Sequence, residues 1–148
     1  MNGEKNLRLH HVGYATKEIE ASVATYAARF GYEAATGVIH DPAQTALVQF
    51  LRLQGDATYL EFVAPDGPQS KLVGVTKRTS VLNHLCYSSG PLEEAIAGLE
   101  ANGLKLISDP KPAVALGGRR ICWLFGTDQL PIELVEQRDD ADDCVPGL

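Results

Sequence analysis

The chain has only three cysteines, Cys86, Cys122 and Cys144, and no two of them stand in a CxxC spacing. So odd and scattered a set argues against a disulfide framework and a zinc knuckle, and the thiols are expected to be reduced, two of them in the core. Long apolar runs are missing as well. No stretch approaches the roughly 18 uninterrupted apolar residues of a membrane span. The opening "MNGEKNLRL" lacks the apolar segment of a secretory leader, so a cytoplasmic protein without membrane contact is expected. Basic residues are outnumbered, 13 Lys and Arg against 19 Asp and Glu for a net charge of −6. They form no stripe that could neutralise phosphates, and nucleic acid is not an expected partner. Part of the acidic excess sits in "RDDADDCVPGL" (138–148), which has little to bury and is expected to be a flexible tail. What remains, 45% hydrophobic and 22% charged over 148 residues, is enough for a globular core.

The most informative feature is a repetition. "LHHVGYAT" (9–16) nearly reappears as "LNHLCYSS" (82–89), an offset of 73 that pairs Leu9 with Leu82, His11 with His84 and Tyr14 with Tyr87. The same offset pairs Glu20 with Glu93 and Ala24 with Ala97. One deletion later, at an offset of 72, "YLEFV" (59–63) falls on "PIELV" (131–135) and Glu61 meets Glu133. Such self-similarity implies two copies of one module of about 70 residues.

Both copies read alike. A strand near 7–15 leads to a helix from about Thr16 to Phe30, with Ile19, Val23, Tyr26, Ala27 and Phe30 on one face and Gly31 ending it. In the second copy a strand near 82–88 precedes Ser89-Gly90-Pro91, a helix start, then Leu92, Ile96 and Leu99 at helical spacing and Asn102-Gly103 as a stop. Strand-like runs follow each helix: a short one near 33–39, then 45–53 and 58–64 in the first copy, and 104–108, 119–125 and 131–137 in the second. The expected architecture is therefore α+β: one domain over 1–137 made of two tandem βαβββ modules, about 7–65 and 80–137. Each helix would cover one sheet face and leave the other free to curve around something.

Alternation along the strands selects candidate site residues. Leu60 and Phe62 flank Glu61, Ile132 and Leu134 flank Glu133, and Val12 and Leu85 flank the two histidines. All four polar side chains would then point to the helix-free side. A single histidine on a strand is most often just a hydrogen-bonded one. Here His-x49-Glu is followed by His-x48-Glu at matching places of a repeated module, and buried carboxylates are costly unless paired or coordinated. His11, Glu61, His84 and Glu133 form an N/O donor set suited to one divalent ion, Zn²⁺, Ni²⁺, Co²⁺, Mn²⁺ or Fe²⁺, and not to Cu(I) or an iron–sulfur cluster.

At these residues the chain resembles the vicinal oxygen chelate superfamily, which includes glyoxalase I, methylmalonyl-CoA epimerase, extradiol dioxygenases and bleomycin-binding proteins. "HHVGYAT", "YLEFVAPDGPQSKL", "LNHLCY", the block "LEANGLKLISDPKPAVALGGRRICWLF" and "IELVEQ" are most similar to the methylmalonyl-CoA epimerase branch. The resemblance implies a glyoxalase-like cupped sheet around one divalent metal ion held by His11, Glu61, His84 and Glu133. It also implies an isomerase that removes and returns the α-proton of a 2-carboxyacyl thioester, such as an acyl-CoA, through a metal-stabilised enolate. Glu133 is the first candidate for the base and Glu61 the second. A homodimer is expected from the same resemblance. A glyoxalase I-type lyase acting on a glutathione hemithioacetal is the alternative enzyme, and a metal-free binding or resistance protein the alternative non-enzyme.

Some positions depart from that branch. Gln49 stands where similar epimerases carry a further carboxylate, and "GTDQLP" (126–131) is a shorter turn than usual before the last ligand strand. No specific coenzyme A signature is present. Lys71, Lys77, Arg78 and the Arg119-Arg120 pair could meet a phosphorylated ligand, although a solvated surface is the plainer reading. Cys86 reads as a packed thiol, Gly117-Gly118 as a turn, and Trp123 and Phe125 as wall or core. His10 and His40 are left out of the site.

Overall fold

The computed structural model describes residues 6–77 and 80–148. Within them nine strands form one mixed sheet. In the first module β1 (Arg8–Ala15) leads to helix α1 (Ile19–Phe30), the short strands β2 (Glu33–Ala34) and β3 (Ile39–Asp41), then β4 (Ala46–Arg52) and β5 (Tyr59–Pro65). The second repeats the order with β6 (Val81–Ser89), α2 (Leu92–Glu100), β7 (Lys105–Pro112), β8 (Arg120–Phe125) and β9 (Ile132–Glu136). Strands run β2-β4-β5-β1-β6-β9-β8-β7 across the sheet, with β3 on β4. β1 pairs β5 and β6 pairs β9 in parallel, and β1 meets β6 antiparallel at the join. The sheet is thus its own mirror in strand order about that join, the α+β architecture of two modules expected from the repeat.

Helix α1 begins three residues later than its periodicity suggests, because β1 runs on to Ala15 and Glu18 is still extended. Gly31 ends it in the left-handed region with its N–H on the Ala27 carbonyl. Its apolar face is only partly covered: Ile19 packs with Leu51, Leu60 and Phe62, whereas Phe30 is 58% exposed. Helix α2 sits on Leu124 and Leu134 through Leu92 and Ile96. No Ser89 side-chain cap forms. The Leu92 N–H is instead taken by Glu136 Oε2 from β9 at 2.8 Å, and Arg120 locks that carboxylate. Sequence periodicity is blind to a cap donated across the sheet.

Both helices lie on the same side, so the opposite face is lined by the alternate residues. Val48, Phe50, Tyr59, Val63, Ile121 and Val135 form its core. The segment 138–148, expected to fray, is packed on the end of this face. Arg119, only 6% exposed, grips Asp142 with two bonds of 2.7 Å and donates to the carbonyls of Leu116 and Leu148, and Cys144 is fully buried. Composition had hidden a buried guanidinium that its acidic neighbour satisfies. Gly117 allows this approach, since a β-carbon there would run into the Leu148 backbone.

Hydrogen bonds to a charged group are worth about 1.5–3 kcal/mol, so Asp142→Asn should lower the denaturation midpoint. Arg119 holds the Asp142 carboxyl well below the usual carboxylate range. The clamp's contribution is therefore complete above about pH 4 and falls away only as the pH drops further, a dependence that urea titrations of both proteins at several pH values should show. No helix among the described residues is long and apolar enough to cross a membrane.

Candidate metal centre

The four central strands each bring one candidate ligand to the helix-free face: His11 from β1, Glu61 from β5, His84 from β6 and Glu133 from β9. All four residues are at most 6% exposed. Strand register creates two equivalent rows, Glu61–Gly13–His84 and His11–Cys86–Glu133. Gly13 and Cys86 occupy the same place in the two modules, and smallness is what each row needs at its middle. At Gly13 the His84 imidazole lies where a β-carbon would be.

The side chains converge. His11 Nε2 lies 3.1 Å from His84 Nε2, 3.4 Å from Glu61 Oε1 and 3.2 Å from Glu133 Oε1. His84 Nε2 is 3.1 Å from Glu61 Oε1 and 3.7 Å from Glu133 Oε1. Around an ion with ligands about 2.0–2.2 Å away, adjacent ligand atoms stand about 2.8–3.6 Å apart, from octahedral to tetrahedral geometry. The spacing suits His11, Glu61 and His84 as ligands of one divalent cation, and Glu133 approaches both imidazoles as the loosest member. Among the described residues two groups have ligand atoms all within 4.8 Å of one another: His11, Glu61 and His84, and His10, His11 and Cys86.

Electrostatics agree with a centre built for positive charge. Burial opposes charging His11, yet the balance holds it protonated well above the ordinary imidazole range. Glu61 and Glu133 cause this, because the neighbouring Cys86 thiol is itself pushed well above its usual range by burial and stays neutral. Burial likewise raises Glu61, but His11 and His84 more than offset it and hold the carboxyl well below the carboxylate range. A proton or a cation has the same reason to sit here.

A cavity of about 70 Å³ opens onto His84, Glu61 and Glu133 and is walled by Val48, Val63, Leu116, Ile121 and Trp123. Trp123 meets the His84 ring edge to face at 4.9 Å. Its indole N–H is buried without a hydrogen-bond partner among the described residues. A second hollow shares Asp41, Gln44, Ala113, Ile121 and Trp123 with the first and carries Lys71, Lys111 and Asp109.

Several positions fall elsewhere than the sequence suggested. Gln49 shares the parity of Leu47 and Leu51 on the helix side, and its amide donates to the Thr36 carbonyl, so it is not a site residue. The 126–131 turn contributes nothing to the cavity lining. Arg119 and Arg120 are both spent on carboxylates, and Arg78 lies outside the described residues. His40 pairs with Asp66 away from the centre. Three residues join the site that alternation did not select. Asp41 lines the cavity, its carboxyl raised by burial and by the nearby Glu133 and Glu61. His10 and Asn83 touch the rings of His11 and His84. The repeat sets His10 against Asn83 and so offers no second matched histidine, which is why neither is legible as a site residue from the sequence.

A pseudo-symmetric pair of βαβββ modules, cupped around two imidazoles and two carboxylates, defines a small-molecule pocket protein with a ready divalent-ion donor set. The chain belongs to the Glyoxalase/Bleomycin resistance protein/Dioxygenase superfamily, whose model matches residues 10–123. It is 27% identical over 129 residues to the uncharacterized protein YwkD of Bacillus subtilis (strain 168), covering 87% of this chain and 96% of that one. Methylmalonyl-CoA epimerase from Mycobacterium tuberculosis superposes with a TM-score of 0.79 at 22% identity, over 92% of each chain. A Streptomyces coelicolor methylmalonyl-CoA epimerase variant in complex with 2-nitronate-propionyl-CoA does so at 0.73 and 22% identity, over 89% of this chain and 98% of that one. At such identity the likeness shows the fold.

Proposed function

We propose that this protein is a metal-dependent isomerase that takes and returns the α-proton of a 2-carboxyacyl thioester, in the manner of a methylmalonyl-CoA epimerase. The observation that carries this reading is the convergence of four side chains, one from each central strand, with each carboxylate 3.1–3.7 Å from the two imidazole Nε2 atoms. His11, Glu61, His84 and Glu133 would hold the ion. A divalent cation bound there supplies Lewis acidity toward a substrate carbonyl, which acidifies the adjacent C–H. Solved relatives of this fold whose names give the epimerase activity, one with an acyl-CoA analogue, support the substrate class.

The chain's own groups suit the remaining tasks. Glu133, the loosest of the four, is the carboxylate best able to swing from the centre and take the proton, and Glu61 flanks the imidazole pair from the other module. The free Trp123 indole N–H offers a hydrogen bond to a substrate oxygen beside His84. A cavity of about 70 Å³ takes the reacting acid end of a thioester and little more. The rest must lie outside, where Lys71 and Lys111 edge the adjoining hollow. An exposed charge contact is worth about 1 kcal/mol, so a Lys71→Glu, Lys111→Glu double variant should raise KM for a phosphorylated thioester roughly tenfold and leave kcat in place. An unchanged KM would remove those lysines from the substrate path.

Deuterium wash-in at C2 of methylmalonyl-CoA in D₂O, run beside a lactoylglutathione assay, tests the function. Solvent deuterium at C2 with no lactoylglutathione formed is the expected result. Lactoylglutathione alone would assign glyoxalase I-type lyase chemistry, and a purified protein without metal or either activity would point to a binding protein. The proposed homodimer rests on the family resemblance, and light scattering in solution tests it.

A further inference from the structure

His10 and Asn83 stand at the same place in the two modules, 73 residues apart, and each is the extra residue of a β-bulge. Between β1 and β6 the register runs Leu9 to Tyr87 and then His11 to Cys86, which leaves His10 over. It then runs Gly13 to His84 and Tyr14 to Leu82, which leaves Asn83 over on the partner strand. A bulge turns the extra side chain to the face of its neighbour, so each lies beside the ring of the histidine that follows it. His10 Nδ1 is 2.7 Å from His11 Nδ1, and Asn83 Oδ1 is 2.8 Å from His84 Nδ1.

Hydrogen-bond bookkeeping then fixes the direction of each contact. The Cys144 carbonyl, 2.7 Å from His10 Nε2, can only accept, so that nitrogen carries the proton. With that proton on Nε2, His10 turns Nδ1 toward His11 as the acceptor, and His11 donates its Nδ1–H across the 2.7 Å contact. Asn83 Oδ1 is likewise an acceptor, so His84 donates from Nδ1. Both rings are left with Nε2 aimed at the centre, 3.1 Å from one another.

We propose that His10 and Asn83 are a pair of positioning residues, one per module, that fix both ligating imidazoles as Nδ1–H tautomers and so aim their Nε2 lone pairs at the cation. This deepens the metal reading and rests on it. The packed tail takes part, because Cys144, 134 residues from His10 in sequence, supplies the acceptor that sets the chain of bonds. Without such partners a neutral imidazole is free to place its proton on Nε2, where it would face the ion. Partners of this kind are typically worth about 10–100-fold in metal affinity.

The test titrates the purified full chain with Zn²⁺ by calorimetry and records long-range ¹⁵N–¹H histidine spectra of the metal-free protein at a pH high enough to leave His11 neutral. His10→Leu and Asn83→Leu should each weaken Zn²⁺ binding about 10–100-fold. His10→Gln keeps an acceptor toward His11 and a donor toward Cys144, and Asn83→Asp keeps the acceptor, so both should stay within a few-fold of the unmodified protein. The spectra should show protonated Nδ1 on His11 and His84. Leucine variants that bind Zn²⁺ as tightly as the parent, or an unprotonated Nδ1 on either ring, would overturn the positioning role. A parent protein that takes up no Zn²⁺ sinks the metal reading beneath it, while the spectra still judge the tautomers separately.

Discussion

His84→Ala and Glu133→Ala proteins are each expected to lose the divalent ion on dialysis and to lose turnover with it. A four-ligand protein site binds Zn²⁺ with about 10–16 kcal/mol, or roughly 3 kcal/mol per ligand, so one truncation should weaken binding by about a hundredfold or more. The two residues come from different strands, β6 and β9, that carry the second half of the centre. Either truncation leaves three acceptors, and the Glu133 change also removes the proposed base. A second readout is thermal: ion at a thousandfold excess over Kd should stabilise the parent by about 4 kcal/mol, and the variants far less. Full metal occupancy and turnover in either variant would remove it from the site.

Gly13→Ala should be nearly as damaging although Gly13 binds nothing. The His84 imidazole occupies the space of the missing β-carbon. The ring must swing, and its Nε2 leaves the positions 3.1 Å from His11 and from Glu61. Loss of about a hundredfold in ion affinity is expected, as for removal of the ligand itself, with the far-ultraviolet circular dichroism unchanged. The matching position of the other module supplies the control. Cys86→Ala removes only a neutral, buried sulfur beside His11 and should cost about 1 kcal/mol of stability while ion binding stays within a few-fold. Equal ion affinity in Gly13→Ala and the parent would show that His84 is free to ligate from elsewhere.

The duplicated half, the order of its elements and the four converging side chains were all legible from the sequence, because each is written in short-range patterns. Alternation around Glu61 and Glu133 names a face directly, and helical periodicity places α1 and α2 to within a few residues. Gln49 shows the limit of the same method. Its neighbours in sequence could not say which face of β4 met the cavity, and the residue belongs to the helix side.

Alternation fails where a strand bulges. A regular strand would turn His10 and Asn83 away from the centre, and the two register shifts between β1 and β6 reverse that. Acidic composition made 138–148 look unstructured, while its docking depends on Arg119, a residue that could be read as buried only once β8 was packed. Helix α2 likewise finds its cap on β9, 44 residues from Leu92. Local pattern was therefore sufficient for the modules and for which residues could be ligands, since those follow from periodicities of two and 3.6 residues. The partners that orient those ligands, the fate of the tail and the shape of the pocket depend on groups brought together from far along the chain, and they took form only with the packed sheet.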